Sequence, residues 1–348
     1  MSLNFIQQSM EKSLKLNSKF LPLLADYCQA GYISEKYKRI LERFYLSYKK
    51  ALESDGLSIN PQENKFIEFL RHVKEQISSP YIFQPYHEQI RSPYDYYSFG
   101  IEFLRPLIDK SISSIGKKEN IEEIYSHIKR GHNVILLANH QTEADPQAIS
   151  LLLEDIAPEL GEKMIFVAGE RVVTDPLAIP FSMGRNLLCI YSKRYIDHPP
   201  EHKLKKQLHN KRTMQLMSEL LSMGGKCIYV APSGGRDRKN EHGIIEVAPF
   251  DPQSIEMFYL MAQKAEKATL FYPLSLLTYD ILPPPEMIQI ELGEVRHTKR
   301  GGIHLFFGKQ IDMEKFPGSE LKDKHERRRM RAEYIYSLVR DEYQKIQH

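Results

Sequence analysis

From Asn4 to about Ser79 apolar residues recur at three- and four-residue intervals, and no stretch alternates like a strand. Tyr37, Ile40, Leu41, Phe44, Tyr45 and Tyr48 fall on one helical stripe, and Phe66, Ile67, Leu70 and Val73 on another. Asp55-Gly56 and Asn60-Pro61 separate the two. Pro80 to Tyr97 is rich in Tyr and broken by Pro80, Pro85 and Pro93; it reads as a packed linker or as an irregular edge of the second domain. Beyond it the period changes. Short β-rich runs appear at Asn133–Ala138, Met164–Ala168, Leu187–Tyr191, Lys226–Val230, Leu270–Leu277, Met287–Leu292 and Ile303–Phe307. Helical stretches lie between most of them, at Gln147–Ile156, Leu204–Leu221 and Ser254–Lys267. Strands separated by helices predict an α/β fold with a mixed, largely parallel sheet flanked by helices, behind a smaller N-terminal all-helical domain. The expected division is 1–80 for the helical domain and 81–348 for the α/β domain. Ligands of such sheets lie beyond the C-terminal ends of the strands. The loops after Asn133–Ala138, Leu187–Tyr191 and Lys226–Val230 are therefore where chemistry is expected.

Composition narrows the class. The chain has 348 residues, 42% hydrophobic and 27% charged, which excludes a disordered or fibrous protein. A net charge of +3 is too even for a dedicated nucleic-acid binder, so any basic function must be local. The longest apolar runs, such as Val134–Ala138 and Leu270–Leu277, fall far short of the ~20 residues of a spanning helix. Cys28, Cys189 and Cys227 lack C-x-x-C spacing and cannot all pair, which suits a reducing compartment. The N-terminus mixes Glu11, Lys12 and Lys15 with short apolar stretches, unlike a secretory signal. These features point to a soluble, intracellular protein.

Three motifs fail on inspection. His198, Glu201 and His202 match H-x-x-E-H, but the two intervening prolines oppose a continuous zinc-binding helix. A helix entry with proline near its first position explains them better. Gly224-Gly225-Lys226 lacks the earlier glycine of a P-loop, with Leu220 in its place, and Cys227 follows the lysine. Ser233 sits in Ala-Pro-Ser-Gly-Gly, outside the G-x-S-x-G frame of a nucleophile elbow.

One constellation survives. Asn139 to Pro146 (NHQTEADP) follows the first β-run and contains His140 and Asp145 as an H-x4-D pair. Thirteen His and fourteen Asp placed at random would give about half a match, so context must carry the pair. Asp145 before Pro146 has the look of an N-cap with proline at the first helical position, which would leave His140 an ordinary turn residue. Alternatively, the turn folds the carboxylate back onto the imidazole. An Asp accepting from one ring nitrogen fixes the tautomer and leaves the other free to take a hydroxyl proton. That is a base and its orienter without a protein nucleophile, so the hydroxyl would belong to a substrate. The other two loops supply positive charge: Lys193 and Arg194 after one run, Arg236, Arg238 and Lys239 behind Gly234-Gly235 after the other. Each could be a solvated loop; together, beside the His, they suit a phosphorylated substrate. The aromatic interleaving of a single-strand nucleic-acid platform is absent near them.

These residues resemble the soluble, plastid-type glycerol-3-phosphate 1-O-acyltransferases of the H-x4-D glycerolipid acyltransferase superfamily. The resemblance rests on Asn139–Pro146, RNLLCIYSKR (Arg185–Arg194), IYVAPSGGRDR (Ile228–Arg238) and FYPLSL (Phe271–Leu276), in the family's order. The family's helical N-terminal domain fits the front of this chain. By position, His140 is similar to the general base and Asp145 to its orienting carboxylate. Lys193, Arg194, Arg236 and Arg238 stand where the family gathers charge for the substrate phosphate, with Lys193-Arg194 replacing the plant enzymes' Lys-His. Pro232-Ser233-Gly234-Gly235 differs from the Pro-Glu-Gly-Thr of membrane-bound relatives, which favours the soluble subgroup. No long targeting extension precedes the helical part, so the resemblance implies a bacterial cytoplasmic protein or a processed stromal one.

The implied reaction is transfer of a fatty acyl group from acyl carrier protein, or CoA, to the sn-1 hydroxyl of glycerol 3-phosphate. It needs no cofactor and no metal, and backbone N–H groups after the first β-run are expected to hold the oxyanion. The product would pass to a membrane, with peripheral contact there. A lysophosphatidate acyltransferase and a non-catalytic binder of phosphorylated lipid or nucleic acid are the alternatives. An acidic carrier protein would need a basic surface. Lys203, Lys205, Lys206, Lys211 and Arg212 offer one, and Lys322, Lys324, Arg327, Arg328, Arg329 and Arg331 another; each could also be a solvated helix face.

Overall fold

The structure, a computed structural model, describes residues 18–192, 196–285 and 292–347. Among the described residues three helices form the front: α1 (Phe20–Gln29), α2 (Glu35–Glu53) and α3 (Asn60–Ser78). Ser34 starts α2 by accepting from the Tyr37 amide at 3.3 Å. The stripe from Ile40 to Tyr48 faces inward, as its period requires. Tyr48 Oη donates to the Phe103 carbonyl at 2.7 Å, and the Phe44 and Phe103 rings stack with centroids 5.9 Å apart. Phe103 lies on α4 (Tyr96–Leu104), so the front is fastened to the next part of the chain.

The α/β part contains α5 (Lys118–Lys129), α6 (Asp145–Leu153), α7 (Pro158–Lys163), α8 (Ile179–Ser182), α9 (Lys203–Met223), α10 (Pro252–Lys264) and α11 (Lys324–Gln347). Its strands are β1 (Tyr86–His87), β2 (Ser114–Gly116), β3 (Asn133–Ala138), β4 (Ile165–Gly169), β5 (Asn186–Ile190), β6 (Cys227–Val230), β9 (Thr269–Leu277) and β10 (His304–Phe307). A separate hairpin pairs β7 (Arg238–Lys239) with β8 (Ile245–Glu246). The main sheet runs β1-β5-β4-β6-β3-β9-β10-β2. Its five central strands are parallel; β1 and β10 join antiparallel and β2 pairs parallel to β10. The sheet is therefore mixed and largely parallel.

Alternation along the strands divides two cores. Val134, Leu136, Phe166, Leu187, Tyr229 and Leu274 face the front helices and α4 to α6. Ile135, Leu137, Ile165, Leu188, Ile228 and Phe271 face α9, α10 and α11. Covered on both faces, these strands read as continuous apolar runs. Pro80–Tyr97 is neither wholly linker nor wholly irregular: Tyr86–His87 is an edge strand against β5. Of the expected strand Met287–Leu292, residues 286–291 lie outside the described residues, and Leu292 belongs to no strand. Among the described residues no helix is long and apolar enough to cross a membrane.

Candidate active site

The turn after β3 is the centre of the sheet's C-terminal edge, between the ends of β6 and β9. His140 Nδ1 lies 2.8 Å from Asp145 Oδ2. Asp145 is fully buried and also accepts from the Gln141 and Thr142 amides and from Thr278 Oγ1, at 2.8, 3.2 and 2.6 Å. An ionised carboxylate only accepts, so it requires the proton on His140 Nδ1 and leaves Nε2 basic. Among the described residues no protein group bonds Nε2, and the ring is 29% exposed. Geometrically, this is an imidazole set to take a proton from an incoming hydroxyl.

The cap reading of Asp145 fails. The helix begins at Asp145 itself with Ala144 as N-cap, and no side chain caps it. The carboxylate turns backward because four donors wait there. Four amides of the turn are already engaged: those of Gln141 and Thr142 serve Asp145, that of Ala144 serves Thr142 Oγ1, and that of Asp145 serves the Thr142 carbonyl, so an oxyanion held by this turn would have to use its other amides.

Neighbouring loops hold this turn in place. Asn139 pairs through both side-chain atoms with Leu276 on β9, at 2.7 and 3.0 Å, while Gln141 Oε1 accepts from the Thr278 and Tyr279 amides. From the β6 side, Asp237 Oδ2 accepts from Asn139 Nδ2 at 2.7 Å and Gln141 Nε2 at 3.2 Å, and its amide donates to the His140 carbonyl. Gly234 supplies the left-handed conformation (φ +65°) that turns the chain from β6 towards Asp237. Burial raises the Asp237 carboxyl to about 6, against the pull of Asn139, Ala248 and Gln141.

Of the four expected cations, Arg236 and Arg238 lie among the described residues. Lys193 and Arg194 lie outside the described residues. Arg236 Nη2 sits 2.6 Å from Glu294 Oε1, and Arg238 Nη1 donates to the Pro285 carbonyl. Arg236 connects through Glu294 to Arg296, whose Nη1 donates to the Glu294 carbonyl at 3.0 Å. Arg296 clamps Glu143 within the turn, with Nη2 at 3.1 Å from Oε2, and lies 3.7 Å from Asp175. Burial alone would weaken its proton affinity, but Glu143 and Asp175 outweigh it and raise its pKa. Sequence reasoning missed Arg296, Thr278 and Arg185. A buried arginine and a solvated one read alike in a sequence, and Thr278 stands just past the FYPLSL strand.

His140, Glu143, Asp145 and Arg296 line one part of an apolar cavity of about 150 Å³. Its walls are Phe44 and Phe103 from the helical side and Phe166, Val167 and Leu187 from the sheet. Among the described residues no group of three or more His, Cys, Asp or Glu could hold a metal ion.

The Acyltransferase family profile matches residues 115–276, spanning the turn and the strands around it. The chain is 38% identical over 320 residues to the chloroplastic glycerol-3-phosphate acyltransferase of Arabidopsis thaliana, covering 91% of this chain and 69% of that one. A Cucurbita moschata chloroplastic glycerol-3-phosphate acyltransferase is 38% identical over 86% of this chain and 68% of its own. The solved 1-acyl-sn-glycerophosphate (LPA) acyltransferase of Thermotoga maritima superposes loosely, with a TM-score of 0.39 and 18% identity over 72% of this chain and 78% of that one. The chain belongs to the glycerol-3-phosphate acyltransferase family.

Proposed function

We propose that the protein transfers a fatty acyl group from a thioester carrier to the sn-1 hydroxyl of glycerol 3-phosphate. His140 Nε2 removes the hydroxyl proton, the oxygen attacks the thioester carbonyl, and Asp145 stabilises the imidazolium. That imidazolium then protonates the departing thiolate, returning the base to its starting state. The observation that carries this reading is the 2.8 Å pair of His140 with a fully buried Asp145 beside an apolar cavity. The cavity takes the acyl chain and needs walls from both the helical front, residues 1–80, and the α/β part, residues 81–348. Lys193, Arg194, Arg236 and Arg238 recognise the phosphate, with Arg236 exchanging part of its contact with Glu294 for the dianion.

Acyl carrier protein is the proposed donor, CoA the competing one, and peripheral membrane contact delivers the product. The proposed compartment is a bacterial cytoplasm or the plastid stroma. Acyl transfer to radiolabelled glycerol 3-phosphate, with carrier-linked and CoA-linked donors and lysophosphatidate as competing acceptor, tests all of this. Preferential labelling of lysophosphatidate would make the protein a second-step acyltransferase; no transfer to either acceptor would leave only a binding role.

A further inference from the structure

Arg185 is one of the largest fully buried side chains in the molecule, 2% exposed, and it lines the apolar cavity. Among the described residues it has no carboxylate partner. Nη1 donates to Ser150 Oγ at 2.7 Å, the guanidinium lies 4.7 Å from the Tyr97 ring centroid, and Nη2 has no hydrogen-bond partner among the described residues. Gln147, also lining the cavity and 4% exposed, leaves Oε1 without a partner there. A donor and an acceptor are thus both orphaned on two residues that line one apolar space, where leaving either unpaired is unfavourable. Burial also lowers the Arg185 pKa, to about 10.

Their place in the fold gives the pair a direction. His140 follows the C-terminal end of β3, whereas Arg185 precedes the N-terminal end of β5, and the central strands are parallel. Along α6, Ser150 stands five residues beyond Asp145, about 7.5 Å at 1.5 Å per residue. The reacting end of the cavity is therefore at His140 and its far end at Arg185.

We propose that Arg185, assisted by Gln147, forms a polar floor to the acyl cavity and is a specificity-determining residue for the acyl chain. The inference rests on the proposed acyl-transfer reading. A terminal methyl seated against an unpartnered guanidinium and amide oxygen keeps both unsatisfied and dry, so saturated chains are selected to end short of them. A terminal hydroxyl accepts from the one or donates to the other, so a chain carrying it is tolerated at the floor.

The test measures kcat/KM for saturated acyl donors of increasing length and for one terminal-hydroxy acyl donor, in the native protein and in Arg185→Leu, Arg185→Lys and Gln147→Met. Arg185→Leu is expected to favour longer chains by roughly fourfold per added methylene, the worth of one buried CH₂, and to lose its tolerance of the hydroxyl. Arg185→Lys should keep the native ordering. Among the described residues the Gln147 side chain makes only a long 3.4 Å bond from Nε2 to the Phe181 carbonyl, so Gln147→Met remains a usable variant if Arg185→Leu does not fold, and it should shift the profile in the same direction. An unchanged profile in whichever variant turns over overturns the floor. Absence of acyl transfer by the native protein overturns the proposed function instead.

Discussion

Thr278 Oγ1 donates to Asp145 Oδ1 at 2.6 Å, across 133 positions of sequence. The end of β9 thereby orients the carboxylate that orients His140. Thr278→Val keeps the shape and removes one bond to a buried charged group, which is expected to cost about 1.5–3 kcal/mol of stability. Turnover should fall with it, while Thr278→Ser restores both. Equal activity in the Val and native proteins, measured at saturating substrate, would make this bond purely structural.

His140→Ala is expected to lower turnover ~10²–10⁴-fold with the fold intact, the usual contribution of a general base. Because Ala144 rather than Asp145 is the N-cap, a cap-competent substitution at 145 offers no rescue. Asp145→Ser and Asp145→Asn should both be impaired. Near-native turnover in either, with circular dichroism unchanged, would remove Asp145 from the mechanism.

Asp237 gives the pH dependence of stability a specific sign. Its carboxyl titrates at about 6 in the fold, above the ~3.9 of an unfolded Asp. Between those values the native state holds more protons, so stability falls as pH rises from about 4 to 6, by about 3 kcal/mol in all, and is level beyond. Unfolding free energies of the native protein minus those of Asp237→Asn, plotted against pH, should show this descent. A flat difference curve would mean that the carboxyl titrates at its ordinary value.

Arg236→Ala should do two separable things. It strands the buried Glu294, costing about 3 kcal/mol of stability, and it raises the KM for glycerol 3-phosphate about tenfold or more. Adding Glu294→Gln should recover the stability and leave the KM defect. Recovery of both would confine Arg236 to the ion pair. Arg238→Ala is expected to raise the same KM, and a change confined to the acyl-donor constant would move both arginines to the carrier site.

If an acyl carrier protein is the donor, as proposed, α9 offers the less encumbered basic face. Arg331 and Arg328 pair with Glu256, and Arg329 pairs with Glu326, so much of the C-terminal charge is answered internally. On α9 Lys206 is buried, bonded to Glu170 and the His198 carbonyl, which withdraws it from the expected basic face. Lys205 and Lys211 remain exposed beside Leu204 and Leu208, which are 67% and 58% exposed. Reversing charge at Lys205 and Lys211 should weaken a carrier-linked donor far more than the same acyl chain on CoA, and raised salt should do likewise. Equal effects on both donors would exclude this face as the docking site.

The central strands were legible because burial on both faces leaves an unmistakable apolar run, and Asn133–Ala138 emerges with the limits its sequence suggests. Lys324–Gln347 was legible only as a charge cluster: its buried stripe of Ala332, Ile335, Val339 and Tyr343 is diluted by charged positions. Ser114–Gly116 is too short to carry any period. The proximity of His140 and Asp145 could be suspected from the turn, but its cause could not. It comes from Thr278 and Asp237, which register between parallel strands brings to the turn from far along the chain.

The cavity wall has a consequence for how the molecule holds together. Phe44, Phe103, Phe166 and Leu187 belong at once to the lining and to the core that joins the front helices to the sheet. That core is packed around a gap; under the proposed function an acyl chain bound there takes the place of side chains the sequence does not supply. Occupancy and folding are then linked equilibria: whatever binds the native state alone adds RT ln(1 + [L]/Kd) to its stability. The thermal midpoint of this protein becomes a readout of its cargo, and the helical front is held to the sheet most firmly when the cavity is filled.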